Sequence, residues 1–212
     1  MKKITRGRFL ILCVAVTLTL SFAFNIALAY SAFPDVPDNA SYIEELNALV
    51  EAGIFKGDAN GNFNPNQPLT RAEGATLLVR LYDEVLWFDM EDKDFSMAQA
   101  FNDVPSSHWA CDSIRTASAI GLINGYGDGR FGPGDPLTYN QTLALLVRVL
   151  LYEGMAGEWG GWPDGYIEAA DFLGITKNTE STANAPVPRS TVAVLMYNAC
   201  FNVGAHDGDP GD

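Results

Sequence analysis

A long internal repeat constrains the fold of this chain more than any other feature of its sequence. Without any gap, Phe33 aligns with Phe101 and Thr70 with Thr138, and residues 33–82 share 16 identities in 50 positions with residues 101–150. All but one of the identities fall on Phe, Asp, Val, Pro, Gly, Thr and Leu, the residue types that determine turns, helix caps and cores. A repeated supersecondary unit explains this pattern better than chance composition does.

The repeat predicts three units within a mainly α-helical domain. The third unit is degenerate, but Arg189 to Leu195 aligns with Arg71 to Leu77, and Tyr166-Ile167-Glu168 resembles Tyr42-Ile43-Glu44. The predicted boundaries are 33–86 for unit one, 87–100 for an acidic connector, 101–152 for unit two, 155–202 for unit three and 203–212 for a disordered acidic tail.

Each unit is predicted to be a helix, a loop and a second helix. In unit one, apolar residues at helical spacing begin near Tyr42, and Gly53 is typical of a helix end. The loop that follows is rich in glycine, asparagine and proline, and the second helix begins at Thr70. The residue predicted to cap the first helix is Asp38 or Asn39 in unit one and Ser106 or Ser107 in unit two. The first helix of unit two is predicted to run from about His108 to Ile120 and to end at Gly121.

The segment 1–29 is predicted to be a signal peptide. Lys2, Lys3, Arg6 and Arg8 make a positive start, an apolar run follows, and Ala27-Leu28-Ala29 supplies a small-residue cleavage site. The alternative is an uncleaved anchor, because the apolar run approaches the roughly 18 residues that span a bilayer. The cleavage site favours export, with no membrane attachment after cleavage.

Composition argues against several functional classes. Without the segment 1–29 the chain has 9 Lys and Arg against 26 Asp and Glu, a formal charge of −17, so nucleic-acid binding is disfavoured. Asp58-Ala59-Asn60-Gly61-Asn62 begins like a calcium loop, but Phe63 takes the required glycine position. We expect no metal, no cofactor and no enzymatic activity. Cys111 and Cys200 are expected to be buried thiols, with one disulfide as the alternative.

The motifs of units one and two resemble the S-layer homology repeat. They are Phe-x-Asp-Val-Pro at 33–37 and 101–105 (with x for any residue), Trp109-Ala110, Gly-Tyr-Gly-Asp-Gly-x-Phe at 125–131, and Pro-Leu-Thr-Arg-Ala-Glu at 68–73. The resemblance implies a mainly α-helical module of three helix-loop-helix repeats in a pseudo-threefold arrangement. It also implies a secreted protein of the cell wall or S-layer that binds secondary cell-wall polysaccharide, often pyruvylated, non-covalently in grooves between repeats.

Arg71 is the leading candidate for ligand contact. Thr70 and Glu73 have the spacing of a capping box, so helix initiation explains them and leaves Arg71 unexplained. The planar guanidinium of Arg71 can pair with a carboxylate such as that of a pyruvyl ketal, and the N-terminus of a helix favours a nearby anion. An ion pair at the surface or between repeats is the alternative. The predicted polysaccharide-binding residues are Arg71, Asp35, Asp103, Trp109, Arg130, Tyr139 and Arg189.

Several of these residues have a second interpretation. Tyr139 stands where unit one has Arg71, and a tyrosine can stack on a sugar but cannot neutralise a carboxylate. Trp109 lines a groove or belongs to the core. Asp35 and Asp103 cap a local turn, shape the groove, or do both. The main functional alternative is a surface protein whose repeats contact other surface proteins and no longer bind glycan.

Overall fold

A computed structural model of the protein describes residues 31–86 and 100–203, which contain seven α-helices and a short π-helix. The predicted signal peptide, nearly all of the acidic connector and nearly all of the tail lie outside these residues. The helices are α1 (Ile43–Glu51), α2 (Arg71–Leu86), α3 (Cys111–Ala119), α4 (Tyr139–Val149), α5 (Glu153–Glu158), α6 (Asp164–Phe172) and α7 (Arg189–Tyr197), and the π-helix is Asn198–Asn202. None of these helices has the length and apolar character needed to cross a bilayer. The predicted mainly α-helical fold class is confirmed.

The predicted starts of α2 and α4 and the predicted ends of α1 and α3 are confirmed. Thr138 and Gln141 form a complete capping box, and in unit one Glu73 Oε2 accepts from the Thr70 amide at 2.8 Å. Gly53 and Gly121 have φ angles of 72° and 79°, the left-handed conformation that lets glycine end a helix.

The predicted caps of α1 and α3 are wrong. The residues that precede these helices are Tyr42 and Ala110, and neither makes a side-chain capping hydrogen bond. Two successive turns separate the proline from each helix, with the amides of Ala40 and His108 bonded to the carbonyls of Pro37 and Pro105. These turns move each helix start several residues beyond the predicted caps.

The structure adds α5, a helix that the sequence did not predict. Two of its six residues are glycines, and the helix is too short to show a helical period of apolar residues in the sequence. It packs against α6, the first helix of unit three, which ends at Phe172 and is followed by Leu173-Gly174. Cys111 and Cys200 are free, so the alternative of a disulfide is not realised.

A ring of three backbone hydrogen bonds marks the pseudo-threefold axis. The Leu69 amide donates to the Val187 carbonyl at 3.0 Å, the Val187 amide to the Leu137 carbonyl at 2.9 Å, and the Leu137 amide to the Leu69 carbonyl at 2.8 Å. All three side chains are buried. Each residue lies just before the second helix of its unit, so the ring aligns the starts of α2, α4 and α7.

The helices also pack in a cycle. Each second helix packs against the first helix of the next unit: α2 against α3, α4 against α6, and α7 against α1. The cycle closes because the last helix returns to the first. Every unit therefore depends on its neighbour for the burial of its apolar face.

Candidate functional site

The first residue of each second helix meets the loop of the next unit. The amides of Arg71, Tyr139 and Arg189 donate to the carbonyls of Asp135, Ala185 and Gln67 at 2.9, 3.2 and 2.9 Å. We call these contacts the Arg71, Tyr139 and Arg189 junctions. The next amide of each helix is also bonded to a loop carbonyl, so the helix N-termini use their first two donors inside the fold.

At the Arg71 junction, the guanidinium spans two carbonyls and two aromatic rings of unit two. Nε donates to the Phe131 carbonyl at 2.8 Å and Nη2 to the Asn124 carbonyl at 2.7 Å. The central carbon lies 4.7 Å from the Tyr126 ring centroid and 4.6 Å from that of Phe131. The residue is 6% exposed, but Nη1 has no partner among the described residues and is not a buried, unsatisfied donor. The Nη1 edge of this largely buried guanidinium therefore keeps some access to solvent.

At the Arg189 junction, the arginine is neutralised inside the protein. Nε donates to the Phe63 carbonyl at 2.7 Å, and Nη1 pairs with Glu73 Oε1 at 2.9 Å. The guanidinium lies 5.1 Å from the Phe63 ring centroid. The inter-repeat ion pair considered as an alternative for Arg71 thus occurs at Arg189.

The Tyr139 junction is neutral. The tyrosine is 2% exposed, and its hydroxyl lies 2.8 Å from Thr179 Oγ1 in the loop of unit three. Burial raises the pKa of Tyr139 above its usual value. Its ring contributes to the packing between units and presents no open face on which a sugar can stack.

The carboxylates of Asp35 and Asp103 each bind the backbone of a loop that lies far along the chain. The two carboxylate oxygens of Asp35 accept from the amides of Phe63 and Asn64 at 2.8 and 2.6 Å, and those of Asp103 accept from Phe131 and Gly132, both at 2.8 Å. These amides lie 28 and 29 residues along the chain, so the contact is not the local turn cap considered from the sequence. Each aspartate holds in place the Phe carbonyl that an arginine of another unit contacts.

Protonation of Asp103 is expected to weaken the fold. Burial favours the neutral carboxyl, but hydrogen bonds from the amides of Phe131 and Gly132 outweigh it and hold the pKa below its usual value. A lowered pKa contributes stability that is present above the unfolded-state pKa of about 4 and is lost as the pH falls through the folded-state value. We expect Asp103→Asn to be less stable at pH 7 and to lose less stability on acidification. Urea unfolding at several pH values measures both effects.

Asp112→Asn, a change at an exposed residue of α3, is the control for that experiment. It is expected to retain the stability and the pH dependence of the unmodified protein. An Asp103→Asn variant with an unchanged pH dependence would show that the carboxylate does not hold the loop.

Trp109 and Arg130 are exposed. Trp109 is 65% exposed and stacks on His108 with the ring centroids 5.7 Å apart, so it lies outside the core. Arg130 pairs with Asp128 at 2.9 Å on the glycine loop of unit two, where both side chains are at least half exposed. An ion pair in that setting contributes little to stability and leaves the arginine available.

Sequence reasoning missed Tyr126 as a member of the candidate site. Its ring lies near the guanidinium carbons of Arg71 and Arg130, at 4.7 and 5.8 Å, and its hydroxyl donates to Asp135 Oδ2 at 2.9 Å. The signal was present as an aromatic residue inside a glycine-rich loop, where unit one has Asp58. Tyr126 thus joins the Arg71 junction to Arg130. Among the described residues, no group of His, Cys, Asp and Glu side chains is suited to hold a metal ion.

Comparison with known families identifies the repeated segments. The sequence profile of the S-layer homology domain matches residues 32–75 and 100–143. Two segments of the chain therefore match the S-layer homology domain. In the first domain the match runs from the Asp35 segment to the start of α2, and in the second from the Asp103 segment to the start of α4. The third S-layer homology repeat stays a prediction.

Curated relatives are surface proteins and an enzyme. The chain is 32% identical over 190 residues to "Cell surface protein" of Thermoanaerobacter kivui, and 28% identical over 220 residues to "Surface-layer 125 kDa protein" of Lysinibacillus sphaericus. These alignments cover 88% and 97% of the chain, and 24% and 18% of the relatives. A third relative, "Exoglucanase XynX" of Acetivibrio thermocellus, is 29% identical across 70% of the chain and 13% of its own length. The chain spans less than a quarter of each of these relatives.

Proposed function

We propose that the protein is an exported surface module that attaches non-covalently to secondary cell-wall polysaccharide and so anchors to the cell wall or S-layer. The observation that carries this proposal is the open Nη1 of Arg71, held at the junction between the two S-layer homology domains. The names of the surface-protein relatives support a location at the cell surface.

The chemistry of the Arg71 junction suits a sugar that carries a carboxylate. The guanidinium offers an N–H donor to a carboxylate oxygen, and its other nitrogens are already held by carbonyls in a fixed orientation. Tyr126, which is 47% exposed, offers an aromatic surface beside it. Arg130 supplies a second cation, Asp103 shapes the loop, and Trp109 provides a further exposed ring. A pyruvyl ketal on a polysaccharide has the required carboxylate.

Binding of an anionic polymer has to overcome the negative charge of the protein. The formal charge of the chain without the segment 1–29 is −17, which repels such a polymer at long range. At physiological salt this repulsion is screened beyond a Debye length of about 8 Å, so contacts at the junction decide the affinity. We therefore place the specificity in Arg71 and its immediate neighbours.

The third unit is included in the proposal as a degenerate repeat. Val187 takes the same place in the backbone ring as Leu69 and Leu137, and Arg189 takes the same place as Arg71. The alignment with the Thermoanaerobacter relative also extends over more of the chain than the two matched domains do. The expectation of no enzymatic activity is kept: the exoglucanase relative is matched over 13% of its length, which fits a shared attachment module.

A pull-down with wall sacculi tests the proposal. We expect residues 30–212 to be retained by purified sacculi and to lose retention when the polysaccharide is stripped by mild acid. Equal retention on intact and stripped sacculi would instead favour the alternative, a structural surface protein that contacts other proteins.

Replacement of Arg71 is expected to weaken wall binding strongly. Arg71→Ala removes the open cation, and we expect at least a tenfold loss of retention, in line with the roughly 1.5–3 kcal/mol typical of a charged hydrogen bond. Arg80→Ala is the matched control, because Arg80 also lies in α2 and donates to a backbone carbonyl, that of Ile54, at 3.0 Å. Wild-type retention by a folded Arg71→Ala variant, checked by circular dichroism, would exclude this site.

A further inference from the structure

The three junctions differ in charge although they share one geometry. The Arg189 guanidinium is paired with Glu73, Tyr139 carries no charge to neutralise, and Arg71 forms no ion pair with a described residue. Of these three junctions, that of Arg71 alone has an arginine whose guanidinium has no carboxylate partner among the described residues. The reason lies in a residue of the neighbouring helix.

The third residue of the second helix determines whether the arginine charge at a junction is neutralised by a carboxylate of the protein. In α2 this residue is Glu73: Oε2 accepts from the Thr70 amide, and Oε1 reaches Arg189. In α4 the equivalent residue is Gln141, whose Oε1 accepts from the Thr138 amide at 3.1 Å. The remaining polar atom of Gln141 is an amide nitrogen, which donates and cannot accept from a guanidinium. Unit two thus has no carboxylate at the position from which unit one neutralises Arg189.

The carboxylates of Asp103 and Asp135 lie near Arg71 but form no ion pair with it. Burial lowers the pKa of Arg71, while Tyr126, Asp135 and Asp103 act in the opposite direction. Both Asp103 oxygens accept from loop amides, and Asp135 Oδ2 accepts from the Tyr126 hydroxyl. Asp35 is held in the same way beside Arg189, so these aspartates do not distinguish the two junctions. The difference lies at residues 73 and 141.

We infer that the protein binds one carboxylate-bearing glycan group per chain, at the Arg71 junction, and that Glu73 occupies the Arg189 junction as an internal carboxylate. This inference rests on the proposed function. Glu73 Oε1 stands for a ligand carboxylate oxygen: it lies 2.9 Å from a guanidinium nitrogen of the arginine that begins a second helix. A carboxylate from outside can take the same position at Arg71 because Gln141 leaves it open.

Two exchanges at position three test this inference. The probe is the methyl glycoside of a hexose that carries a pyruvyl ketal, and its methyl ester is the neutral control. Calorimetric titration of residues 30–212 is expected to give one site for the acid and none for the ester. Gln141→Glu should lower the affinity at least tenfold by supplying an internal carboxylate to Arg71, and Glu73→Gln should raise the stoichiometry to two by releasing Arg189.

Asn39→Asp is the charge-matched control for Gln141→Glu, since it adds the same charge at an exposed residue, and it should bind like the wild type. Gln141→Glu should also raise the melting temperature of the ligand-free protein by about 2–4 °C, the shift expected when a chain of this size gains one ion pair. This second readout separates a new internal ion pair from a loss of folding.

The outcomes separate this inference from the proposed function. Two or three sites in the wild type, or unchanged binding by Gln141→Glu, would overturn the inference and leave wall attachment standing. Retention on sacculi without binding of the acid probe would also overturn it. Failure to bind either sacculi or probe would overturn the proposed function and the inference with it.

Discussion

A chain that ends at residue 152, after unit two, is expected to lose the cooperative unfolding of the longer protein. Removal of unit three uncovers the face of α1 that packs against α7, and the side chains of Leu46 and Leu49 in α1 are fully buried. It also removes Val187 from the backbone ring and Arg189 from Phe63 and Glu73. Each large apolar side chain that loses its burial costs about 1.5–3 kcal/mol, so a few of them equal the roughly 5–15 kcal/mol stability of a typical domain.

Thermal unfolding followed by circular dichroism, together with amide dispersion in a proton–nitrogen NMR spectrum, checks this expectation on residues 30–152. The control chain ends at residue 203, which keeps α7 and the π-helix, and it should unfold like residues 30–212. A sharp transition at the wild-type temperature in the shorter chain would show that the closed ring is not required for folding.

Gly165→Ala is expected to be the most damaging single substitution. A Cβ atom at this buried position would fall on the carbonyl oxygen of Ala156 and within 3.0 Å of the carbonyl carbon of Trp159. Both are backbone atoms, so the strain cannot be relieved by a rotamer change, and α6 must move away from the end of α5. We expect a loss of about 3 kcal/mol or more, seen as a fall of roughly 6–12 °C in the melting temperature.

Gly154→Ala is the matched control in the neighbouring helix. Gly154 is exposed within α5, and a Cβ atom there meets nothing within 4 Å. Alanine has the higher helix propensity, so this variant should gain about 0.5–1 kcal/mol. A Gly165→Ala variant as stable as Gly154→Ala would show that the α5–α6 contact is looser than the structure indicates.

The parts of the fold that depend on neighbouring residues were predictable from sequence. Thr138 and Gln141 are three residues apart and Gly121 lies two residues beyond Ala119, the last residue of α3, so short-range rules located the start of α4 and the end of α3. The start of α3 was missed because two turns intervene between Pro105 and the helix. No short-range pattern distinguishes that arrangement from an immediate cap.

The candidate site was only partly predictable because its contacts join different units. Arg71 could be selected because the capping box did not explain it, but its carbonyl partners lie 53 and 60 residues away. The pairing of Arg189 with Glu73 spans 116 residues, and no spacing rule relates residues at that distance. Glu73 was interpreted from sequence as a cap alone, whereas one oxygen caps and the other forms the ion pair.

The cyclic packing of the helices has a consequence for protein engineering. A junction consists of the start of one second helix, the loop that follows the next first helix and the third residue of the next second helix, so the Arg71 junction is encoded by the contiguous segment 70–141. This segment is displaced by about half a repeat from the domains that sequence comparison recognises. To transplant a junction into a related module, crossovers should therefore be placed in the middle of two successive repeats, because a graft of one matched segment divides two junctions and completes neither.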